Sequence, residues 1–376
     1  MAQSDSRDAL TIAPDVLAAM LERGDQVTIL DIRPESEREE WHIPGSIHHD
    51  AYEALKRHDP NALEGLDLPA EGPVITVCAA GNTSRTAAAQ LRAEGVEALS
   101  VEGGMKAWSL VANTADVPLK GTSARVVQVR RTGKGCLSYL IGADGDAAVV
   151  DASLPPDTYV RLASERGWQI TQILDTHIHA DHLSRARALA EETGAAFFLP
   201  AQERARFSHD SLRDGDALTI GDARLRSLLT PGHTAESTCY LLDDAALFTG
   251  DTLFVDGLGR PDLDDDAGQV RMRAEALYDS LHRLLRVVDP EVIVLPGHTS
   301  HPVPFDGRMI GSALGDVRAR LASLSMPKEA FVNHLLARIP PTPPNFERIV
   351  ALNEAGATVV DEILDLEAGA NRCAVS

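Results

Sequence analysis

Residues 175–182 read DTHIHADH, and this stretch decides both how the chain folds and what it binds. Three histidines and two aspartates fall within eight positions, a density of donor atoms that packing does not explain. Imidazole and carboxylate donors without a thiolate suit zinc, iron or manganese. A strand-like run, ITQIL (170–174), precedes them. We therefore expect the donors just past the end of a β-strand, where the loops of α/β folds carry functional sites.

Three further motifs place a histidine or an aspartate after a strand-like run in the same way. They are TPGH (230–233), TGDT (249–252) and LPGH (295–298), and each contains a glycine that lets several loops approach one ion closely. A buried donor is costly unless it is satisfied, and one metal ion satisfies several donors at once. The sequence therefore predicts a metal site with seven candidate donors: His177, His179, Asp181, His182, His233, Asp251 and His298.

Taken together, THIHADH, TPGHT, FTGDT and LPGHT resemble the metallo-β-lactamase superfamily over roughly residues 123–376. The resemblance implies an αββα sandwich with the metal at one edge of its two sheets. It leaves the reaction open between two branches. In the hydrolase branch, exemplified by glyoxalase II, all seven donors hold two metals, here two zinc ions, and a bridging hydroxide.

In the persulfide dioxygenase branch, one Fe(II) per chain is held by only three of these donors. Carried over to this sequence, the resemblance implies His177, His233 and Asp251. Such a facial triad leaves open positions for a substrate sulfur and O2, and Fe(II) can share electrons with O2 whereas Zn(II) cannot. The remaining four donors would orient the ligands or the bound persulfide: His179, Asp181, His182 and His298.

A local pattern after the third motif favours the dioxygenase branch. The run DGLGRPDL (256–263) resembles the dioxygenase pattern Gly-x-Gly-Arg-x-Asp and places Arg260 and Asp262 just after a strand. The planar guanidinium of arginine pairs well with carboxylates. We therefore interpret Arg260 and Asp262 as candidate binding residues for an anionic thiol carrier, with glutathione and coenzyme A both open.

A second candidate site lies near the start of the chain, in VITVCAAGNTSRTAAAQL (74–91). The pattern predicts a strand, a loop beginning at Cys78, and a helix. Backbone N–H groups and the helix dipole make such a loop an anion cradle that favours the nucleophilic thiolate. Arg85 would add positive charge if its side chain folds back. The predicted cradle consists of Ala79, Ala80, Gly81, Asn82, Thr83 and Ser84.

The surroundings of this loop resemble the rhodanese family across residues 8–117. The resemblance rests on an Asp-x-Arg segment (31–33), a His-Ile-Pro-Gly turn (42–45) and a Gly-Gly-x-x-x-Trp ending (103–108), in that order. It implies a sulfurtransferase in which Cys78 carries a persulfide and the loop cradles the outer sulfur or a thiosulfate. The predicted fold class is therefore α/β plus α+β: a rhodanese-type parallel sheet domain at 8–117, a linker at 118–122, and a metallo-β-lactamase αββα sandwich at 123–376.

Composition limits the partners and the compartment. The formal net charge of −21 repels phosphate backbones, so nucleic acid is not an expected partner. Neither a secretory signal pattern nor an apolar stretch of about 18 residues is present, so we expect no membrane association. Four widely spaced cysteines without a CxxC pair predict a reducing cytoplasm. We interpret Cys136 and Cys239 as core residues and Cys373 as an unimportant residue of a polar tail.

The leading hypothesis is a bifunctional sulfur-oxidation enzyme. Its partners would be a small-molecule thiol persulfide, O2, thiosulfate and sulfite, and a homo-oligomer is compatible with the sequence. The fusion supports this hypothesis because the product of one site is a substrate of the other. A dizinc, glyoxalase II-like thioester hydrolase with a rhodanese domain is the alternative. A persulfide sensor or sulfur-delivery module with a structural metal is a third hypothesis.

Overall fold

The structure is a computed structural model that describes residues 10–69, 71–263, 267–357, 362–369 and 371–375. Within these ranges the strands form sheets of five, seven, six and two strands. No helix in the same ranges is both long and apolar enough to cross a lipid bilayer.

The N-terminal part is a parallel sheet with helices around it. Its elements are β1 (Thr11–Ile12), α1 (Pro14–Arg23), β2 (Thr28–Asp31), α2 (Glu35–Glu40), β3 (Ile47–His48), α3 (Tyr52–Lys56), β4 (Val74–Val77), α4 (Thr83–Ala93), β5 (Ala98–Val101) and α5 (Gly104–Trp108). The strand order is β1-β5-β4-β2-β3, and every pair is parallel. All four residues of β4 are buried, as expected for a strand covered on both faces.

The first sheet of the second part has seven strands in the order β12-β11-β10-β9-β8-β7-β6. Its elements are β6 (Ala112–Val117), β7 (Arg125–Arg131), β8 (Leu137–Ala143), β9 (Asp146–Val150), α6 (Pro156–Ser164), β10 (Gln169–Leu174), α7 (Ala186–Thr193), β11 (Ala196–Pro200) and β12 (Asp210–Leu212). Strands β6 to β9 pair antiparallel, as in consecutive hairpins, and β9 to β12 pair parallel.

The second sheet of this part has six strands in the order β13-β14-β15-β16-β18-β19. The remaining elements are β13 (Ala217–Ile220), β14 (Ala223–Leu229), β15 (Thr238–Leu242), β16 (Ala246–Gly250), β17 (Leu258–Gly259), α8 (Ala267–Val287), β18 (Ile293–Pro296), β19 (Ser312–Ala313), α9 (Leu314–Arg320), a 3-10 turn (Ala322–Ser325), α10 (Lys328–Leu336), α11 (Phe346–Ala355), α12 (Ile363–Leu366) and β20 (Ala374–Val375). β17 and β20 pair antiparallel and form the two-stranded sheet.

Three buried clusters show that the second part is layered. One cluster joins Ile141 of the seven-stranded sheet to Tyr240 and Phe248 of the six-stranded sheet, so the two sheets face each other. A second cluster packs α6 and α7 on the outer face of the first sheet. A third packs α8, α9 and α10 on the outer face of the second sheet. The fold is therefore the predicted one, a parallel α/β sheet domain followed by an αββα sandwich.

The sequence predicts that residues 112–117 belong to the first domain, but in the structure they are part of a sheet of the second. They form β6, which pairs antiparallel with β7 over six positions, from Ala112 with Arg131 to Val117 with Val126. The run alternates intermediate or exposed with buried residues, which suits the edge of a sheet with one covered face. By its hydrogen bonds this segment therefore belongs to the seven-stranded sheet.

A buried ion-pair cluster around Glu367 joins the two parts of the chain. The Glu367 carboxylate lies 2.7 Å from the Nη2 atom of Arg131 and 2.9 Å from the Nη2 atom of Arg185. Arg131 also donates from its Nε atom to the carbonyl of Ser109 in the N-terminal part. The Glu367 carboxylate accepts the backbone N–H of Leu183, which follows the metal-donor loop. One acidic side chain thus connects the domain interface to that loop.

Candidate metal centre and cysteine loop

The candidate metal donors lie on loops that follow four strand ends. β10 ends at residue 174 before the DTHIHADH loop, β14 ends at 229 before TPGH, β16 ends at 250, and β18 ends at 296. All seven predicted donors are buried: His177, His179, Asp181, His182, His233, Asp251 and His298. The expectation that strand ends bring them to one edge of the sheets agrees with this arrangement.

Three of the donors converge with free ligand atoms. The Nε2 atoms of His177 and His233 lie 3.9 Å and 3.7 Å from the Oδ2 atom of Asp251. None of these three atoms has a hydrogen-bond partner within the described residues, although all are buried. Buried polar atoms without a hydrogen-bond partner destabilise the folded state, and one cation between these three atoms would bind all of them. The set fits a metal ion.

Hydrogen bonds on the far side of each imidazole fix its orientation. The Nδ1 atom of His233 lies 2.7 Å from the carbonyl oxygen of Arg260, so it carries the proton. The Nδ1 atom of His177 lies 2.9 Å from the hydroxyl of Thr176, which itself donates to Asp151. Both Nε2 atoms are then left with a lone pair for a metal, as metal-ligating histidines require. Burial also lowers the pKa of His177 and of His233, which favours the neutral ligand form.

Among the other four predicted donors, the three histidines pair with carboxylates, and Asp181 is the partner of His182 and His298. The Nε2 atom of His179 lies 3.2 Å from Asp151, and despite burial this carboxylate raises the pKa of His179 well above its usual value. His298 lies between two acids, with its Nδ1 atom 2.5 Å from Asp251 and its Nε2 atom 2.8 Å from Asp181. Among the described residues the Nε2 atoms of His179, His182 and His298 also lack a hydrogen-bond partner, so both donor sets keep ligand atoms available.

Two glycines let the backbone come close to this centre. Gly250 has φ of 48°, and a Cβ atom there would overlap the side chain of Thr176. A Cβ atom on Gly259 would overlap the carbonyl oxygen of Asp251. The glycines of TGDT and DGLGR are thus needed for close approach of the loops.

The structure does not leave Arg260 free to bind a thiol carrier as predicted. Its side chain is fully buried, with an exposed fraction of 0%. The guanidinium donates two bonds of 2.8 Å to Asp262, and its remaining donors reach the carbonyls of Pro340, Pro341 and Arg372. Every N–H of the guanidinium donates a hydrogen bond within the protein. Arg260 is therefore a positioning residue whose carbonyl orients His233, and Asp262 is its counter-charge.

Two cysteines lie at the metal centre, contrary to the sequence-based interpretation. The Sγ atom of Cys136 lies 3.4 Å from the Oδ2 atom of Asp181. Burial and Asp181 oppose its ionisation, but nearby histidines lower the pKa of Cys136 to about 6. Cys373 is buried and groups with Asp251 and His298. Only Cys239 is an ordinary core thiol, whose pKa burial raises to about 11. No sequence motif signals Cys136 or Cys373, because their neighbours are distant in the chain.

The cysteine loop has the predicted strand–loop–helix geometry, with Cys78 between β4 and α4. The Sγ atom of Cys78 accepts the backbone N–H groups of Gly81 at 3.1 Å and Ser84 at 3.4 Å, and the Ser84 hydroxyl at 3.2 Å. A Cβ atom on Gly104 would overlap the carbonyl of Cys78, so the start of α5 packs directly on the loop. These donors stabilise negative charge on sulfur.

The other predicted residues of this loop make no hydrogen bond to the Cys78 thiol within the described residues. Among the described residues, no hydrogen bond joins Ala79, Ala80, Asn82 or Thr83 to Cys78. Arg85 is exposed on the first turns of α4, and no ion pair or hydrogen bond among the same residues brings it back to the sulfur. A helix directs successive side chains outward, which explains why Arg85 points to solvent instead of folding over the loop.

A cavity of about 320 Å³ lies next to the cysteine loop, between the two parts of the chain. It is lined by Ala79, Trp41 and Lys106 from the first part and by Pro344 and Arg372 from the second. A separate cavity of about 270 Å³ reaches the metal centre at His298. The two candidate sites therefore border different cavities.

Comparison with known families matches two segments of the chain. Residues 13–110 match the rhodanese-like domain, and residues 131–298 match the metallo-β-lactamase superfamily. PksB of Bacillus subtilis (strain 168), a probable polyketide biosynthesis zinc-dependent hydrolase, is 34% identical over 158 residues, which are 41% of this chain and 67% of that protein. The chain belongs to the metallo-β-lactamase superfamily and carries a rhodanese-like domain.

Two further similarities bear on the particular activity. A hydroxyacylglutathione hydrolase of Methylococcus capsulatus (strain Bath) is 31% identical over 233 residues, covering 61% of this chain and 77% of that protein. The crystal structure of ETHE1 from Myxococcus xanthus is 29% identical with a TM-score of 0.54, covering 64% of this chain and all of that one. The protein is thus a metallo-β-lactamase-fold enzyme, of a fold that binds metal ions, with a rhodanese-like domain.

Proposed function

We propose that this protein oxidises a low-molecular-weight persulfide with O2 and also transfers sulfane sulfur through Cys78. In the first reaction, RSSH, O2 and H2O give RSH, sulfite and two protons. The outer sulfur is oxidised, O2 is reduced, and the S–S bond breaks. Glutathione persulfide is the proposed substrate. The persulfide that this reaction consumes is a product of sulfur transfer from thiosulfate in the other domain, and the sulfite that it releases is the acceptor for the reverse transfer.

The convergence of three free donor atoms carries this proposal. His177, His233 and Asp251 offer two imidazole nitrogens and one carboxylate oxygen to a single point. Three ligands leave coordination positions for a substrate and for O2. Iron bound there would supply the redox chemistry that O2 requires. The similarity to ETHE1 fits the same proposal.

The chain's own groups prepare the centre for this chemistry. Arg260 and Thr176 hold the proton on the Nδ1 atoms of the two histidine ligands. His298 reaches from Asp251 to Asp181, which holds the ligand carboxylate in place. Because the donors are buried, solvent water is largely excluded around the outer sulfur.

In the N-terminal domain, Cys78 supplies the nucleophile. Its thiolate attacks the outer sulfur of thiosulfate, the S–S bond of thiosulfate breaks, and sulfite leaves with the bonding electron pair. A thiol then takes the outer sulfur from Cys78 and becomes a persulfide. The Gly81 and Ser84 donors that stabilise the thiolate sulfur would stabilise the terminal sulfur of the persulfide in the same way.

A dizinc thioester hydrolase is the second candidate. It is favoured by the hydroxyacylglutathione hydrolase from Methylococcus capsulatus and by the presence of Asp181, His182 and His298 beside the triad. In that case the second donor set would hold another zinc ion and the substrate would be a thioester.

Parallel assays of one preparation separate the two reactions. Iron-loaded protein is given glutathione persulfide or coenzyme A persulfide, and O2 consumption and sulfite formation are measured. Zinc-loaded protein is given S-lactoylglutathione, and hydrolysis is measured without O2. The proposal predicts one O2 consumed per sulfite formed and negligible hydrolysis. Absence of O2 uptake with both persulfides, at confirmed iron content, would overturn it, and thioester hydrolysis would establish the second candidate.

A further inference from the structure

The cavity beside the cysteine loop has walls from both domains. It encloses about 320 Å³, within the range of about 300–1,000 Å³ that is typical of small-molecule sites. The rhodanese-like domain contributes Ala79, which follows Cys78 in the loop, and Met105 and Lys106 of α5. The N–H of Met105 donates to the carbonyl of Cys78 at 2.9 Å, and the N–H of the next residue donates to the carbonyl of Ala79 at 3.0 Å. This wall is therefore fixed next to the nucleophile.

The opposite wall comes from the C-terminal segment of the metallo-β-lactamase domain and includes Arg372. The neighbours of Arg372 in the chain reach the metal centre instead. The Nδ2 atom of Asn371 donates to Asp181 at 3.0 Å, and Cys373 groups with two of the candidate metal donors. Arg260 anchors the segment, because its Nη1 atom donates to the carbonyl of Arg372 at 3.1 Å. A side chain on a segment that is held in this way is positioned more precisely than one on a free loop.

Two basic side chains of the lining can turn towards a ligand. Lys106 and Arg372 are both partly exposed. Lys106 pairs with Asp365 at 2.5 Å, and Arg372 pairs with Glu40 at 2.6 Å, so each ion pair joins one domain to the other. Exposed ion pairs contribute little to stability. A carboxylate of a ligand can therefore replace either acidic partner at small cost.

The other charges of the lining decide which class of ligand fits. Arg33 is buried and donates to the two carboxylate oxygens of Asp31 at 3.0 Å and 2.7 Å, so its charge is already neutralised. Glu37 and Glu40 also line the cavity, and Glu37 forms no ion pair within the described residues. Two available basic groups and two acidic groups match a zwitterion that carries carboxylates and an ammonium group. A thiol that carries several phosphates would be repelled by the two glutamates.

We propose that Lys106 and Arg372 bind the carboxylates of a small zwitterionic thiol, of the class of glutathione, as the acceptor of sulfur from Cys78. This acceptor site rests on the proposed sulfur transfer at Cys78, to which it adds a substrate class and a residue from the second domain. The bound thiolate attacks the outer sulfur of the Cys78 persulfide. A new S–S bond forms, the old one breaks, and Cys78 keeps the bonding electron pair. Because Arg372 belongs to the metallo-β-lactamase domain, the acceptor site is complete only in the fused chain.

Binding of S-methylglutathione tests the site without sulfur transfer, because this ligand keeps the carboxylates and the ammonium group but has no thiol. Calorimetric titration of the full chain compares wild type with Arg372→Gln and Lys106→Gln, one variant in each domain. Each variant loses one charge-assisted hydrogen bond to the ligand, so the affinity should fall about tenfold. Arg161→Gln is the matched control, because its exposed guanidinium also pairs with a glutamate, at 2.9 Å, but lies on α6. It should bind the ligand as wild type does.

Sulfur transfer from thiosulfate gives a second readout. With glutathione as acceptor, Arg372→Gln should raise KM about tenfold and leave kcat near the wild-type value. The KM for β-mercaptoethanol, an uncharged thiol, should not change. Equal affinity for S-methylglutathione in wild type and both variants overturns the proposal, as does an equal rise of KM for the uncharged thiol. Binding that depends on Arg372 in a wild type that transfers no sulfur would support the site and refute the proposed activity of Cys78.

Discussion

Replacing Glu367 by Gln should destabilise the whole enzyme, although Glu367 is no candidate ligand. Burial alone would raise the pKa of Glu367, but Arg131 and Arg185 lower it from 4.5 to about 2. At about 1.4 kcal/mol per pKa unit, this fall corresponds to about 3 kcal/mol of stability at neutral pH. Glu367→Gln keeps the shape and removes the charge, leaving two buried guanidinium groups without a counter-ion. The expected loss is therefore about 3–5 kcal/mol.

Urea denaturation near neutral pH measures this loss, and its pH dependence gives a second test. Because the folded-state pKa is depressed, the stabilisation is complete above about pH 5 and disappears as pH falls towards 2. The unfolding free energy of Glu367→Gln should not show this part of the decrease at acid pH. Glu165→Gln is the control, since its exposed pair with Arg161 contributes less than about 1 kcal/mol. A Glu367→Gln protein within about 1 kcal/mol of wild type would refute the reasoning.

The remaining predictions concern the two sites. Asp251→Ala removes one of three free donor atoms, so bound iron, measured by metal analysis, and O2 uptake should both fall by more than roughly 100-fold. Cys78→Ser removes the nucleophile, so thiosulfate sulfur transfer should fall to the uncatalysed rate while O2 uptake keeps its wild-type rate. Arg260→Lys loses the guanidinium that anchors this loop, whose carbonyl at position 260 accepts the Nδ1 proton of His233. Iron affinity should therefore fall roughly 10–100-fold, while KM for the persulfide stays unchanged.

The first two of these variants have a matched control, and each of the three has a result that would contradict it. Asp316→Ala removes an exposed carboxylate outside the centre and should keep its iron. Cys239→Ser should keep full sulfur transfer. Iron retained by Asp251→Ala, or sulfur transfer retained by Cys78→Ser, would show that the site is assigned to the wrong residues. A raised KM with normal iron affinity in Arg260→Lys would return Arg260 to the carrier-binding role that the sequence suggested.

The sequence predicted what local patterns encode. β-Branched runs followed by glycine and a donor indicated strand ends that meet at one edge, and the structure has β10, β14, β16 and β18 ending just before the donors. The strand–loop–helix pattern around Cys78 likewise predicted the N–H groups that surround its sulfur. Both features depend on backbone geometry within a few residues, which periodicity and glycine placement reveal.

The sequence missed what depends on distant contacts. In the sequence, Arg260 resembles a ligand-binding arginine. In the structure, its N–H groups donate to the carbonyls of Pro340, Pro341 and Arg372, more than 75 positions away. Cys136 has the pattern of a core residue because it precedes an apolar strand, and only the bridge to His298 places it at the metal centre. Arg85 was expected over the cysteine loop, but α4 directs it to solvent.

We propose that one iron at His177, His233 and Asp251 is sufficient for persulfide oxidation. The most direct test is the O2-uptake rate with glutathione persulfide as metal-free protein is loaded with increasing iron. We expect the rate to rise in proportion to bound iron and to stop rising at about one iron per chain. No uptake at one iron per chain, or a rate that appears only as a second iron binds, would contradict the account.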